Sequence, residues 1–206
     1  MKILGGQFVY GRTIEESLKR AAPERAKGLT HSFDMLGEAA MTDADAARYF
    51  SAYKRALLHL AETSDHTQDL HRSPALSVKL SALHPRYEFA QREICVPELA
   101  TRILELCAVA KSANIGLTID AEEADRLEVS LLVIETVLAS ESIRDWAGFG
   151  LAVQAYQRRA IEVIERIAQT AQRHQQQITV RLVKGAYWDS EIKRAQELGL
   201  RSYPVF

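Results

Sequence analysis

The chain has 206 residues, with 26 Lys+Arg against 27 Asp+Glu and a formal net charge of −1. Its 47% hydrophobic and 26% charged residues exclude a disordered, collagen-like or coiled-coil chain, and the missing basic surplus argues against a nucleic-acid partner. The longest apolar stretch, Val129–Ile134, is far short of the roughly 20 residues that cross a bilayer, and Met1–Leu4 runs into Gly5-Gly6 too soon for a signal segment, so the expected compartment is the cytoplasm.

In chain order, Thr13-Ile14-Glu15-Glu16 fits a capping box that opens a first helix, and His31–Leu36 has strand character. Thr42-Asp43-Ala44-Asp45 resembles a second capping box, and Leu76–Leu80 is the next strand candidate. Pro97 suits the first turn of a third helix, whose Leu99, Ile103, Leu106, Cys107 and Ala110 fall on one stripe. Ile115–Asp120 is a third strand, and a helix after Glu122 carries Leu127, Leu131, Ile134 and Leu138. Phe149–Ala155 and Ile178–Val183 complete the strands, separated by a helix with Ile161, Ile164, Ala168 and Ala171 on its apolar side. No Pro/Ser/Gly-rich linker divides the chain, which is expected to be one domain over residues 1–206. Cys95 and Cys107 have neither disulfide-framework nor metal spacing and are expected to be buried free thiols.

Single strands alternating with helices require right-handed crossovers and a parallel sheet, either open and doubly wound or closed as a (β/α)8 barrel. An open sheet of the nucleotide-binding kind would bring a glycine-rich loop between a strand and a helix. Gly148-Phe149-Gly150 leads into a strand instead. The expectation is an α/β chain of the (β/α)8 TIM-barrel type, incomplete, with about five strands.

The two-residue period of the strands sorts their side chains onto two faces. Ser32 and Asp34, Ser77 and Lys79, Thr118 and Asp120, Ala152 and Gln154, and Thr179 and Arg181 share one face. Phe33 and Met35, Leu76 and Val78, Leu117 and Ile119, Leu151 and Val153, and Val180 and Leu182 share the other. The large apolar residues belong under helices. The small-then-polar faces converge inside, where charges can pair at the C-terminal mouth, the place of barrel active sites.

Lys79, flanked by apolar residues, suits a carboxylate anchor or a desolvated Schiff-base lysine. Asp120 still lies on its strand and is a site candidate. Glu122, Glu123 and Asp125 are expected to complement the dipole of a first helical turn rather than to bind Mg2+. Arg181 points inward, and Lys184-Gly185-Ala186 leaves backbone N–H groups open to a cofactor at the strand end. Tyr187 and Trp188 either stack on a planar ligand or pack the loop. The six histidines show no ligand spacing, so no metal is expected.

Five segments carry a family resemblance: Ser32-Phe-Asp-Met-Leu-Gly-Glu38, Val78-Lys-Leu-Ser-Ala-Leu-His-Pro-Arg-Tyr87, Thr118-Ile-Asp-Ala-Glu-Glu-Ala-Asp-Arg-Leu-Glu128, Val153-Gln-Ala-Tyr-Gln157 and Arg181-Leu-Val-Lys-Gly-Ala-Tyr-Trp-Asp-Ser-Glu-Ile-Lys193. Together they resemble the proline dehydrogenase domains of the bifunctional bacterial proline-utilisation flavoenzymes. The resemblance implies a distorted barrel holding FAD that oxidises L-proline to Δ1-pyrroline-5-carboxylate. It implies hydride transfer to flavin N5 and a membrane quinone as electron acceptor, hence peripheral membrane contact for a full-length protein.

By resemblance, Lys79 binds the proline carboxylate, Asp120 organises the site and Arg181 lies beside the flavin. Ala186 and Tyr187 cover the substrate, and Asp34 and Glu38 stand at its entrance. Ala121, Gln154, Arg181, Lys184, Gly185, Ala186 and Trp188 are the implied cofactor residues. The family pattern further implies the remainder of the barrel and an aldehyde dehydrogenase domain as partners, so this chain is expected to be a fragment with little activity alone. The competing readings are a Schiff-base, aldolase-like barrel using Lys79 or Lys184, and a non-catalytic interaction module.

Overall fold

The structure is a computed structural model, and it describes residues 9–37, 39–64 and 69–206. Six helices, five strands and short 3-10 turns are placed among them. Helix α1 (Ile14–Arg25) opens on Thr13, whose hydroxyl accepts the Glu16 N–H at 3.3 Å. Strand β1 (Ser32–Asp34) is followed by α2 (Asp43–Thr63), where Thr42 and Asp45 cap each other's backbone N–H in a full capping box. Then come β2 (Ala75–Val78), α3 (Arg92–Ser112), β3 (Gly116–Ile119), α4 (Leu127–Leu138), β4 (Phe149–Gln154), α5 (Ala160–Arg173), β5 (Thr179–Val183) and α6 (Trp188–Glu197).

All neighbouring strands pair in parallel, and their order across the sheet is the chain order, β1-β2-β3-β4-β5. A doubly wound sheet must reverse its strand order to place helices on both faces. Here each crossover steps one place in the same direction, so right-handed connections put every crossover helix on one side. The architecture is therefore α/β of the TIM-barrel type, a five-stranded arc rather than a closed barrel.

Burial follows from that arrangement. Leu76, Val78, Leu117, Ile119, Leu151 and Val153 are buried on the helix-covered face. The packed stripe of α3 comprises Leu99, Ile103, Leu106, Cys107 and Ala110, and both cysteines are buried and free.

Four local expectations need correction. Helix α3 starts at Arg92, so Pro97 lies inside it rather than in its first turn. The bond that Pro97 removes would have ended on the Glu93 carbonyl, and both residues are exposed, so water can replace the missing donor. The buried stripe of α5 is Ala160, Val163, Ile167, Thr170 and Ala171, while Ile161, Ile164 and Ala168 are exposed. Arg166 fixes that rotation by pairing with Glu128 at 3.0 Å and Glu135 at 2.6 Å on α4.

Val180 and Leu182 of β5 are not covered, Leu182 being 60% exposed, because α6 docks elsewhere. Its Arg194 pairs with Asp125 at 2.6 Å and its Glu191 accepts the Ala124 N–H at 2.6 Å, which holds α6 against the loop after β3. Finally, Glu122, Glu123 and Asp125 precede α4 instead of forming its first turn, because a 3-10 turn at Ala124–Arg126 intervenes.

Strands β4 and β5 approach closely where Gly150 faces Thr179. A Cβ at Gly150 would come 2.6 Å from the Thr179 carbonyl oxygen, a backbone atom that cannot swing aside. Gly150→Ala is expected to destabilise the full-length protein by about 1–3 kcal/mol, the usual cost of forcing a methyl into a packed interior. Denaturant unfolding checks this, and unchanged stability would show that the two strands separate freely.

Candidate active site

The polar residues of the inner face meet at the C-terminal ends of the strands. Lys79 follows the last residue of β2, and Asp120 follows the last residue of β3. The Asp120 N–H still donates to the Val78 carbonyl at 2.9 Å, so both side chains keep the pleat alternation past the assigned strand ends. The Lys79 ammonium donates to Asp34 Oδ1 at 2.8 Å, Asp34 Oδ2 at 2.9 Å and Asp120 Oδ2 at 3.1 Å. The second Asp120 oxygen accepts from the Arg181 guanidinium. Another Arg181 N–H donates to Ser77 Oγ at 2.9 Å, and Ser77 Oγ lies 3.3 Å from Ser32 Oγ. Asp34, Lys79, Asp120 and Arg181 thus alternate in charge along one connected chain.

The centre of that chain is its driest part. The side chains of Lys79 and Asp120 are 15% and 11% exposed, while those of Arg181 and Asp34 reach solvent. Burial disfavours the Lys79 ammonium, but the carboxylates of Asp34 and Asp120 outweigh it and hold its pKa above the ordinary lysine value. That is the opposite of what an amine nucleophile needs, so Lys79 does not suit Schiff-base chemistry. Behind it, the Tyr53 hydroxyl of α2 accepts the Lys79 N–H at 3.3 Å, and burial pushes that phenol up to about 12.

Asp34, Lys79, Asp120 and Arg181 line an open cleft of about 340 Å³ together with Ala121, Ala152, Gln154, Val183, Lys184, Gly185, Ala186 and Tyr187. Gln154 is buried with both amide atoms bonded to protein: Nε2 donates to the Glu122 carbonyl at 2.9 Å, and Oε1 accepts the Ala186 N–H at 3.0 Å. The loop after β5 rests on Tyr156, whose hydroxyl accepts the Tyr187 N–H at 3.1 Å. Gly185 has φ 139°, and a Cβ there would lie 2.1 Å from the Tyr156 ring, so only glycine lets the loop settle. Trp188 is outside the cleft lining, its indole N–H donating to the Phe206 carbonyl at 2.8 Å. Glu38 lies outside the described residues.

Sequence reasoning missed Tyr53, Tyr156 and the role of Glu122. Glu122 sits two residues after Asp120, and Tyr156 two after Gln154, so continuing the alternation beyond each strand would have pointed both inward. Tyr53 gave no such signal among the apolar residues of α2. The Glu122 side chain is 3% exposed; its carboxylate accepts the Ser81 N–H at 3.0 Å and pairs with Arg126 at 2.8 Å. Burial pushes its carboxyl above the ordinary glutamate range, against the bonds from Ser81. Arg126 also pairs with Glu123 at 3.3 Å, so the acidic run resolves into ion pairs. Among the described residues no group of three or more His, Cys, Asp or Glu side chains is placed to hold a metal ion.

The "Proline dehydrogenase" family pattern matches residues 17–206. The chain belongs to the proline dehydrogenase family. It is 46% identical over its whole length to the bifunctional protein PutA of Salmonella typhimurium and 48% identical to that of Rhizobium meliloti, covering 16% of each. A crystal structure of a Bradyrhizobium japonicum proline utilization A variant superposes with a TM-score of 0.86 at 52% identity, over 95% of this chain and 20% of that one. The chain therefore spans about one sixth of the length of these two curated relatives. In this member of the family, one carboxylate, Asp120, carries both inward cations, so it is the natural point at which to perturb the site.

Asp120→Asn is expected to lower the pKa of Lys79, because burial then opposes the ammonium with one carboxylate fewer. A lysine-labelled NMR titration of the full-length protein measures it, and an unmoved resonance would contradict the pairing. The raised value also sets a sign. The stability Lys79 contributes is complete below the unfolded lysine pKa of about 10.4 and is lost as pH rises through the higher folded value. The alkaline loss of stability should therefore be smaller in the variant.

Proposed function

We propose that the full-length protein oxidises L-proline to Δ1-pyrroline-5-carboxylate with FAD bound in this cleft, and that this chain is the first part of that catalytic domain. The observation that carries the reading is the pair of cations, Lys79 and Arg181, held on either side of Asp120 at the mouth of the cleft. Membership of the proline dehydrogenase family supports it.

The residues present fit a flavin. The cleft opens to solvent and, at about 340 Å³, has room for the ring end of a flavin beside a small substrate. Arg181 brings a permanent positive charge into it, Lys184 lies on its wall, and Gly185 lets backbone come close without a side chain intervening. When bound, the flavin would supply the acceptor for the hydride leaving the ring carbon beside the proline nitrogen.

The rest is work for this chain's own side chains. Lys79 would hold the proline carboxylate by a charge-assisted hydrogen bond, since its ammonium has three donors and faces the cleft. Asp120 would keep Lys79 and Arg181 at fixed separation, so that neither must reorganise when substrate enters. Arg181 would stabilise negative charge gained on the flavin, and Ser77 would aim its guanidinium. Ala186 and Tyr187 would cover the substrate ring, with Asp34 at the entrance. Ala121, Gln154, Lys184, Gly185 and Ala186 would hold the cofactor, Gln154 by fixing the Ala186 backbone.

In this reading the electrons would pass on to a quinone at a peripheral membrane contact, and the full-length cytoplasmic protein would also carry an aldehyde dehydrogenase domain. Among the described residues, no helix is long and apolar enough to cross a membrane.

Anaerobic addition of proline to the full-length protein should bleach the flavin absorbance. Lys79→Met should raise KM for proline by roughly tenfold to a hundredfold, the worth of a charged hydrogen bond. Arg181→Met should slow flavin reduction more than it weakens flavin binding. A wild-type protein that binds no flavin, or whose flavin ignores proline, would overturn the proposal.

A further inference from the structure

The buried carboxylate of Glu122 takes no part in the chemistry above, yet burying it costs several kcal/mol unless its bonds compensate. Its chief backbone partner is informative. The 3-10 turn Leu80–Ala82 begins directly after Lys79, and Lys79, in the cap position, makes no side-chain bond to it. Asp69 and Ser140 supply such an acceptor to two other 3-10 turns of this chain, but a lysine has no acceptor to give. The missing acceptor comes instead from the loop after β3, where the Glu122 carboxylate takes the Ser81 N–H at 3.0 Å.

Ser81 passes the constraint on. Its Oγ accepts the Ala39 N–H at 3.1 Å, and its carbonyl accepts the Ala40 N–H at 2.8 Å, in the segment that follows β1 and Asp34. Ala39 has φ 57°, a left-handed conformation that a side-chain-bearing residue holds only when surrounding bonds impose it. From its backbone carbonyl, Glu122 also anchors Gln154 at 2.9 Å, and Gln154 holds the Ala186 N–H. One residue thus ties together the loops after β1, β2, β3 and β5 and the end of strand β4.

We propose that Glu122 is a positioning residue: it caps the turn that Lys79 cannot cap, and so fixes the ammonium and the β1 loop for binding a substrate carboxylate. The inference rests on the proposed function for the identity of that ligand. Glu122 itself touches neither substrate nor cofactor.

The test uses the full-length, flavin-loaded protein and two substitutions at one position. Glu122→Gln keeps an acceptor for Ser81 but removes the charge, whereas Glu122→Leu keeps bulk and removes the acceptor. The Leu variant should bind tetrahydrofuroic acid, a carboxylate analogue of proline, roughly tenfold more weakly by calorimetry. It should raise KM for proline similarly with kcat changed less, and lose hydrogen-exchange protection at Ser81, Ala39 and Ala40. The Gln variant should recover most of the affinity and the protection.

A Leu variant with wild-type affinity and only a lower melting temperature would overturn the proposal, as would a Gln variant as impaired as Leu. Should the Leu variant fail to fold, Ser81→Ala decides through the link to Ala39: weaker acid binding supports the proposal and unchanged binding refutes it. A wild-type protein that neither binds the acid nor responds to proline would instead sink the functional reading beneath it.

Discussion

Charges inside a barrel mouth are tolerated only when each has a partner, and here one carboxylate, Asp120, serves two cations. Its oxygens divide between the Lys79 ammonium and the Arg181 guanidinium, which come from different strands on either side. Asp34 closes the chain at one end and Ser77 steadies it at the other. The arrangement leaves a charge-balanced row of four side chains from which Lys79 and Arg181 face the cleft. Under the proposed function, an anionic substrate group and a cofactor that gains negative charge would use it without the protein reorganising.

The fold makes this possible through consecutive strand order. Because β1 to β5 follow one another across the sheet, the same-numbered pleat positions of successive strands point to one space. Small residues such as Ser32, Ser77 and Ala152 sit one step below Asp34, Lys79 and Gln154 and leave room for the long side chains to cross. The opposite faces of β2, β3 and β4 are sealed by leucine, isoleucine and valine beneath the helices. That dry backing makes the pairing of Lys79 and Asp120 count for more than a surface ion pair of the same length.

Much of this was legible in the chain itself. The inward set followed from a two-residue period, which is geometry rather than context, and it brought together Asp34, Lys79, Asp120 and Arg181. What failed depended on packing between elements. The stripe of α5 is rotated because Arg166 reaches two glutamates on α4, a contact no local pattern encodes. Val180 and Leu182 stay exposed because α6 docks over the β3 loop through Glu191 and Arg194. Glu122 was mistaken for a helix-dipole residue because four carboxylates in a short run suggest a first turn, and only the intervening 3-10 turn separates them from α4. Tyr53 was invisible because its hydroxyl finds the backbone of Lys79 across the chain.

The central claim is that Lys79 and Arg181 act on a ligand as one unit through the carboxylate they share. A double-mutant cycle of Lys79→Met and Arg181→Met, read as the affinity of the full-length protein for a proline-like carboxylic acid, tests this most directly. Shared dependence on Asp120 predicts clearly non-additive losses, with a coupling above about 0.5 kcal/mol. Losses that add within about 0.3–0.5 kcal/mol would mean the two cations serve the cleft independently, and would contradict the account.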